Sequence, residues 1–186
     1  MTKRFLWNWS VWIGLASGVY VFLYVISPLF EYGVMYATFT ALPIFFTAGA
    51  SRKEYFNYAA SNVIGVGWGL LYISCISLLA GWGLSEAPAQ GLAVFVCTVA
   101  CCAIHFVPLG KTWLNKPAAM FGAISATFST GGAKWGALII TMLLGVTLAL
   151  ICNEGANLLT ADGRWKLFAK TGLNASETAS ADISKD

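Results

Sequence analysis

Six long stretches of this chain contain no Asp, Glu, Lys or Arg: Phe5–Phe30, Tyr32–Ser51, Tyr55–Ser85, Ala87–Gly110, Pro117–Ala133 and Trp135–Asn153. A soluble domain cannot be built this way. Its helices need a charged outer face, and about a quarter of its residues carry charge, against 10% here. An apolar helix crosses the hydrocarbon of a bilayer with about 20 residues, range roughly 17–25. The pattern therefore predicts an all-α integral membrane protein. Its six transmembrane helices are read at Trp7–Ser27, Phe30–Ala50, Phe56–Ala80, Gln90–Gly110, Pro117–Gly131 and Lys134–Asn153. No small-residue cleavage site follows a short hydrophobic segment at the front, so the first span reads as retained. The expected organisation is a six-helix domain over 1–155, an interfacial segment over 156–173 and a small, polar, disordered tail over 174–186.

The basic residues set the orientation. Lys3 and Arg4 precede the first span, Arg52 and Lys53 separate the second from the third, Lys111 and Lys116 the fourth from the fifth, and Arg164, Lys166 and Lys170 follow the sixth. All fall on one side, which the positive-inside rule makes the cytoplasm, so both termini are expected there. The other side receives Glu31, Glu86 and a single basic residue, Lys134. Trp7, Trp9, Trp113 and Trp165 map to the inner interface, Trp82 and Trp135 to the outer one, as an aromatic belt requires. The stretch "RWKLFAK" is suited to the anionic inner leaflet. The net charge of +3 follows from this topology and calls for no nucleic-acid partner; the expected partner is the lipid bilayer.

Two motifs resemble each other. Phe45–Ala50 reads "FFTAGA" and Phe128–Ala133 reads "FSTGGA", which aligns Thr47 with Thr130 and Gly49 with Gly132. A basic residue follows each, then a helix with a small or polar residue every fourth position: Asn57, Ser61, Gly65, Gly69 in one, Ala137, Thr141, Gly145, Ala149 in the other. Two three-helix repeats are thus expected, at about 7–80 and about 90–155. With an odd number of spans each, the second enters the membrane inverted. Transporters use such inverted repeats and bind solute near the midplane.

The polar residues inside the spans carry the candidate chemistry. Thr47, Gly49, Thr130, Gly131 and Gly132 mark breaks whose free backbone groups could meet a solute. Asn57, Ser61, Asn62 and Thr141 are candidates to line a polar path or to bond across helices. Gly14, Gly18, Gly65, Gly69 and Gly145 are expected to let helices approach closely. His105 is the only histidine and shares a four-residue stripe with Cys97 and Cys101. Soft-metal binding, a polar role on a conduction path, and a structural bond between helices are all open to it. One stripe gives only part of a coordination sphere and no second Cys/His set exists, so no metal or cofactor is assigned. No cysteine lies in an outer loop, so no structural disulfide is expected. No nucleophile, base and orienting acid occur together, and no phosphate-binding loop is present, so the chain does not read as an enzyme.

The six short spans, the break "FFTAGASRKEYF" and the segment "FGAISATFSTGGAKWGAL" resemble the small bacterial inner-membrane proteins of the domain-of-unknown-function family numbered 1097. The resemblance covers the spans and not the tail, and it carries over no catalytic or binding residue. It implies a multi-pass protein of the bacterial inner membrane. Together with the broken repeats it leads to the expectation of a channel or permease for a small, neutral or weakly polar solute, assembled as a homo-oligomer. A membrane accessory or interaction protein that moves no solute is the alternative.

Overall fold

The computed structural model describes residues 1–166, where the only non-helical pairing is one isolated bridge, Leu159 to Trp165. The α-helices are α1 (Lys3–Ile26), α2 (Leu29–Tyr32), α3 (Thr38–Thr47), α4 (Tyr55–Gly81), α5 (Glu86–Phe106), α6 (Pro117–Ser129) and α7 (Trp135–Glu154). Four of them, α1, α4, α5 and α7, are long and apolar enough to cross a membrane. α3 and α6 have only 10 and 13 residues. At a rise of 1.5 Å per residue they extend about 15 and 20 Å, short of a hydrocarbon core of about 30 Å.

The second expected span is therefore not one helix. Its hydropathy is continuous, but α2 stops at Gly33, whose backbone is extended, and a 3-10 turn (Met35–Ala37) leads into α3. The turn requires glycine at this position, because the Tyr24 hydroxyl and the Leu29 carbonyl fill the space a side chain at Gly33 would need. The fourth span is shifted. Its helix starts at Glu86 and ends at Phe106, two residues before Pro108. Proline lacks the amide donor and disfavours helix in the residue before it. Residues 107–116 then run as turns. α1 begins earlier than expected, capped by Thr2, whose Oγ1 accepts from the Phe5 amide at 3.1 Å.

α3, α4, α6 and α7 form the centre. α6 lies along α4 and α3 lies along α7; α3 touches α6 and α4 touches α7; α5 covers α4 and α1 covers α7. Glycines set the two main contacts. A Cβ on Gly65 would stand 2.6 Å from the Met120 carbonyl oxygen, and one on Gly145 would stand 2.5 Å from that of Thr38. Gly69 likewise meets the Thr127 side chain. In lipid such backbone proximity provides the dispersion contacts that hold helices together, because burial of apolar surface no longer drives them. Phe45, Leu138, Met142 and Val146 fill the space between, and Phe45 packs on Tyr58 with ring centres 4.7 Å apart.

α1 is peripheral, with Val11, Leu15, Val19 and Phe22 exposed. The last turn of an α-helix leaves carbonyls without partners. The Trp9 and Trp12 indoles donate to the Cys152 and Ile151 carbonyls of α7, both at 2.9 Å, and so hold α1 in place. Beyond α7 a 3-10 turn (Gly155–Leu158) and the Leu159–Trp165 bridge fold back on the start of α1, where Asn8 Nδ2 donates to the Gly163 carbonyl at 2.8 Å. The remainder of the expected interfacial segment and the whole expected tail lie outside the described residues.

Candidate functional site

α3 and α6 end in the same cap. After α3 the Ala50 amide donates to the Phe45 carbonyl and the Gly49 amide to that of Phe46; after α6 the Gly132 amide donates to the Thr127 carbonyl and the Gly131 amide to that of Phe128. This is the Schellman pattern, which needs a left-handed residue one place past the cap. Gly49 (φ +90°) and Gly131 (φ +60°) supply it. The caps correspond one residue off the motif alignment: Gly49 matches Gly131 and not Gly132, and Thr47 matches Ser129 and not Thr130.

The two breaks do not face one another. The α3 break lies beside the end of α7, where Asn153 Nδ2 reaches the Ala50 carbonyl at 3.4 Å and Arg52 Nε pairs with Glu154 Oε1 at 2.6 Å. The α6 break lies beside the segment that follows α1. There Tyr36 and Ser129 share a hydroxyl hydrogen bond, and Lys134 Nζ donates to the Glu31 carbonyl at 3.2 Å. Each has its own open hollow: about 600 Å³ bordered by Trp12, Arg52, Glu154 and Asn157, and about 470 Å³ bordered by Phe30, Tyr36, Thr130 and Lys134. Thr47 is exposed and turned back on the Pro43 carbonyl at 2.7 Å. Thr130 bonds the Thr127 carbonyl at 2.9 Å.

The polar residues that are brought together lie on α4 and the turns before α6. Asn57 Nδ2 donates to Glu54 Oε2 at 3.1 Å, and Lys116 Nζ pairs with the same oxygen at 2.7 Å. Those two partners, Lys116 first, hold the Glu54 carboxyl below its ordinary range. The Lys116 ammonium stands 5.5 Å from the centre of the Tyr58 ring. Further along α4, Ser61 is fully buried and Asn62 is 2% exposed. Among the described residues, the buried side-chain atoms without a hydrogen-bond partner are Ser61 Oγ, Asn62 Oδ1 and Asn115 Oδ1. An unmade bond of this kind costs about 1–3 kcal/mol. Thr141, by contrast, is satisfied, bonded to the Tyr24 hydroxyl at 3.0 Å and to the Ala137 carbonyl at 2.8 Å.

His105 joins three segments. The Trp68 indole can only donate, and it points at His105 Nε2 at 3.1 Å, so that nitrogen presents its lone pair. The proton is then on Nδ1, which donates to the Leu114 carbonyl at 2.9 Å. Both ring nitrogens are engaged, and neither is directed at Cys97 or Cys101. No group of three metal-binding side chains occurs among the described residues. Of the glycines assigned to packing, Gly65, Gly69 and Gly145 pack within the chain; Gly14 and Gly18 do not, since a Cβ on either meets nothing within 4 Å. Sequence reasoning missed Tyr24, Trp68, Glu54, Asn115 and Lys116 as site residues. Asn115-Lys116-Pro117, a polar pair before a proline that opens a helix, was the available signal.

No curated protein and no solved structure matches the chain. A family model described as "Protein of unknown function (DUF1097)" matches residues 10–157, most of the chain and all of the helices that carry these groups. The protein belongs to the DUF1097 family.

Proposed function

We propose that the protein is a channel or permease of the bacterial inner membrane for a small neutral or weakly polar solute. In this reading it crosses the membrane six times with both termini in the cytoplasm, and α3 and α6 are short crossings completed by non-helical chain. The observation that carries the reading is the position of those two helices. Each is too short to span and continues into turns, and each packs along one long helix, α3 along α7 and α6 along α4, while touching the other short helix. Non-helical backbone at membrane depth is tolerated only where protein buries it or where it lines a wet cavity.

The helix contacts support a two-fold design. Exchange α1 with α5, α3 with α6 and α4 with α7, and the main packed pairs correspond: α3–α7 becomes α6–α4, α1–α7 becomes α5–α4, and α3–α6 and α4–α7 are unchanged, whereas the smaller α6–α7 contact has no comparable α3–α4 counterpart. Gly65 against Met120 and Ala123 corresponds to Gly145 against Thr38 and Ala41. The open faces of Gly14 and Gly18, four residues apart on α1, are suited to contact between helices of different subunits. They favour a homo-oligomer, and would serve an accessory protein equally well.

The test is solute-driven swelling of proteoliposomes with a panel of small polar compounds. Permeability above that of protein-free vesicles for at least one uncharged solute is the expected result. Folded, reconstituted protein that adds none would remove the transport reading and leave the accessory one.

A further inference from the structure

Two surface hollows share a wall. One is the open hollow of about 600 Å³ at the α3 break, bordered by Arg52, Glu154 and Asn157. The other is a slot of about 380 Å³ between α1 and α7, walled by Leu15, Val19, Leu23, Leu144 and Leu148. Trp12 and Ile151 border both, and they are tied together by the bond from the Trp12 indole to the Ile151 carbonyl. The slot is apolar. Its two hydroxyl-bearing residues have partners elsewhere: Tyr20 bonds Thr38 at 2.5 Å, and Thr147 bonds Tyr55 at 2.8 Å. The hollow is polar, and its carboxylate is fully engaged. Glu154 Oε1 takes Arg52 Nε at 2.6 Å, and Oε2 takes Asn157 Nδ2 at 2.8 Å. Arg52 is 76% exposed, and among the described residues nothing accepts from its terminal nitrogens. Lys166 Nζ donates to the Asn157 carbonyl at 2.7 Å and adds a second positive charge beside the hollow.

We infer that slot and hollow together hold one anionic phospholipid, with an acyl chain between α1 and α7 and the phosphate at Arg52 and Lys166. The depth fits. From Trp12 to Leu23 α1 rises about 16 Å at 1.5 Å per residue, about half of a hydrocarbon core of about 30 Å. The slot is therefore one leaflet deep. The charge fits as well: two cations stand beside one carboxylate, and a guanidinium with free terminal nitrogens matches a phosphate. An amphiphile satisfies an apolar slot that opens into a cationic hollow. A helix from a second copy does not, since it needs an apolar face along all of α1. At 100° per residue Gly14 and Gly18 fall on the other side of α1 from Leu15, Val19 and Leu23, so contact between subunits there leaves the slot open. The indole that joins the two hollows is placed by Gly155, where a Cβ would overlap the Trp12 ring. A chain in the slot supplies dispersion contacts between α1 and α7 where the peripheral helix has few.

The experiment is native mass spectrometry of the full chain released from micelles that carry phosphatidylglycerol or phosphatidylcholine. One phosphatidylglycerol per chain should be retained, and phosphatidylcholine about tenfold less. Val19→Trp fills the slot and Arg52→Gln removes the cation; each should lower retention about fivefold or more. Both side chains are exposed, so both variants should fold. Val25→Trp, on the other side of α1, should retain lipid like the wild type. Equal retention of the two lipids, or retention that ignores both Val19→Trp and Arg52→Gln, overturns the inference. So does glycerophosphoglycerol, which has no acyl chains, if it competes as well as the lipid, because the hollow alone then binds phosphate. A lipid-free dimer that Val19→Trp dissociates gives the slot to a second copy and overturns it too.

Discussion

His105 shows how one residue's role depends on a partner far off in sequence. The sequence marks it as the lone histidine in an apolar run, and that much was legible. Its partner Trp68 lies on another helix, and nothing in the local pattern of either residue announces the bond. The pair ties α4, α5 and the turns before α6 into one unit. Trp68→Phe puts a smaller ring in the indole's place and leaves the buried His105 Nε2 without its donor, so it should cost about 1–3 kcal/mol. His105→Ala strands the indole N–H and the Leu114 carbonyl together and leaves a cavity, so about 2–4 kcal/mol is expected. Reversible unfolding in mixed micelles measures both. Equal losses for the two variants would mean that the histidine contributes nothing beyond the Trp68 bond. The unpaired atoms of Ser61 and Asn62 could not be found from sequence either, since whether a buried oxygen is satisfied depends on packing between helices.

At the scale of elements, the stripes were readable because side chains four residues apart share a helix face. Asn57-Ser61-Gly65-Gly69 and Ala137-Thr141-Gly145-Ala149 are legible as stripes, and at Gly65 and Gly145 a Cβ would run into the backbone of α6 and of α3. The lengths of α3 and α5 were not readable. Hydropathy records apolar character and not helix continuity, and the Tyr24 hydroxyl that crowds Gly33 comes from another helix. Gly65→Ala and Gly145→Ala press a methyl group into a backbone carbonyl, which must shift. Each should lose about 1–3 kcal/mol, whereas Gly67→Ala, with open space around it, should leave stability unchanged or raise it by up to about 1 kcal/mol. The same unfolding measurement decides, and a costly Gly67→Ala would assign these effects to something other than helix contact. The Lys116–Glu54 pair adds a pH dependence between elements. Glu54 is depressed in the folded chain, so its contribution is complete above the ordinary carboxyl value of about 4.3 and is lost as pH falls through the lower, folded value. Melting curves of wild type and Glu54→Gln should differ at neutral pH and converge in acid. Convergence already at neutral pH would show that the pair contributes nothing.

At the scale of the whole molecule, six crossings and four long helices are reconciled only if α3 and α6 complete crossings with the chain beside them. On the proposed topology the α3 and α6 caps would lie on opposite sides of the bilayer, with the α3 cap and Arg52 in the cytoplasm; the same Schellman pattern also ends α4 at Gly83. On the same proposed topology Lys134, left-handed at φ +57°, would lie outside. The exchanged helix contacts fit a two-fold repeat of either orientation, so the direction of the second half has to be measured. Single cysteines introduced at Arg52, Lys111, Leu84 and Lys134, in a chain without its native thiols, test it directly in intact cells. A membrane-impermeant maleimide should label the Leu84 and Lys134 positions from outside. The Arg52 and Lys111 positions should react only after the membrane is opened. If Arg52 and Lys134 label from the same side, residues 53–133 cross an even number of times, the two halves share one orientation, and the equivalence of the two caps is a local coincidence of sequence.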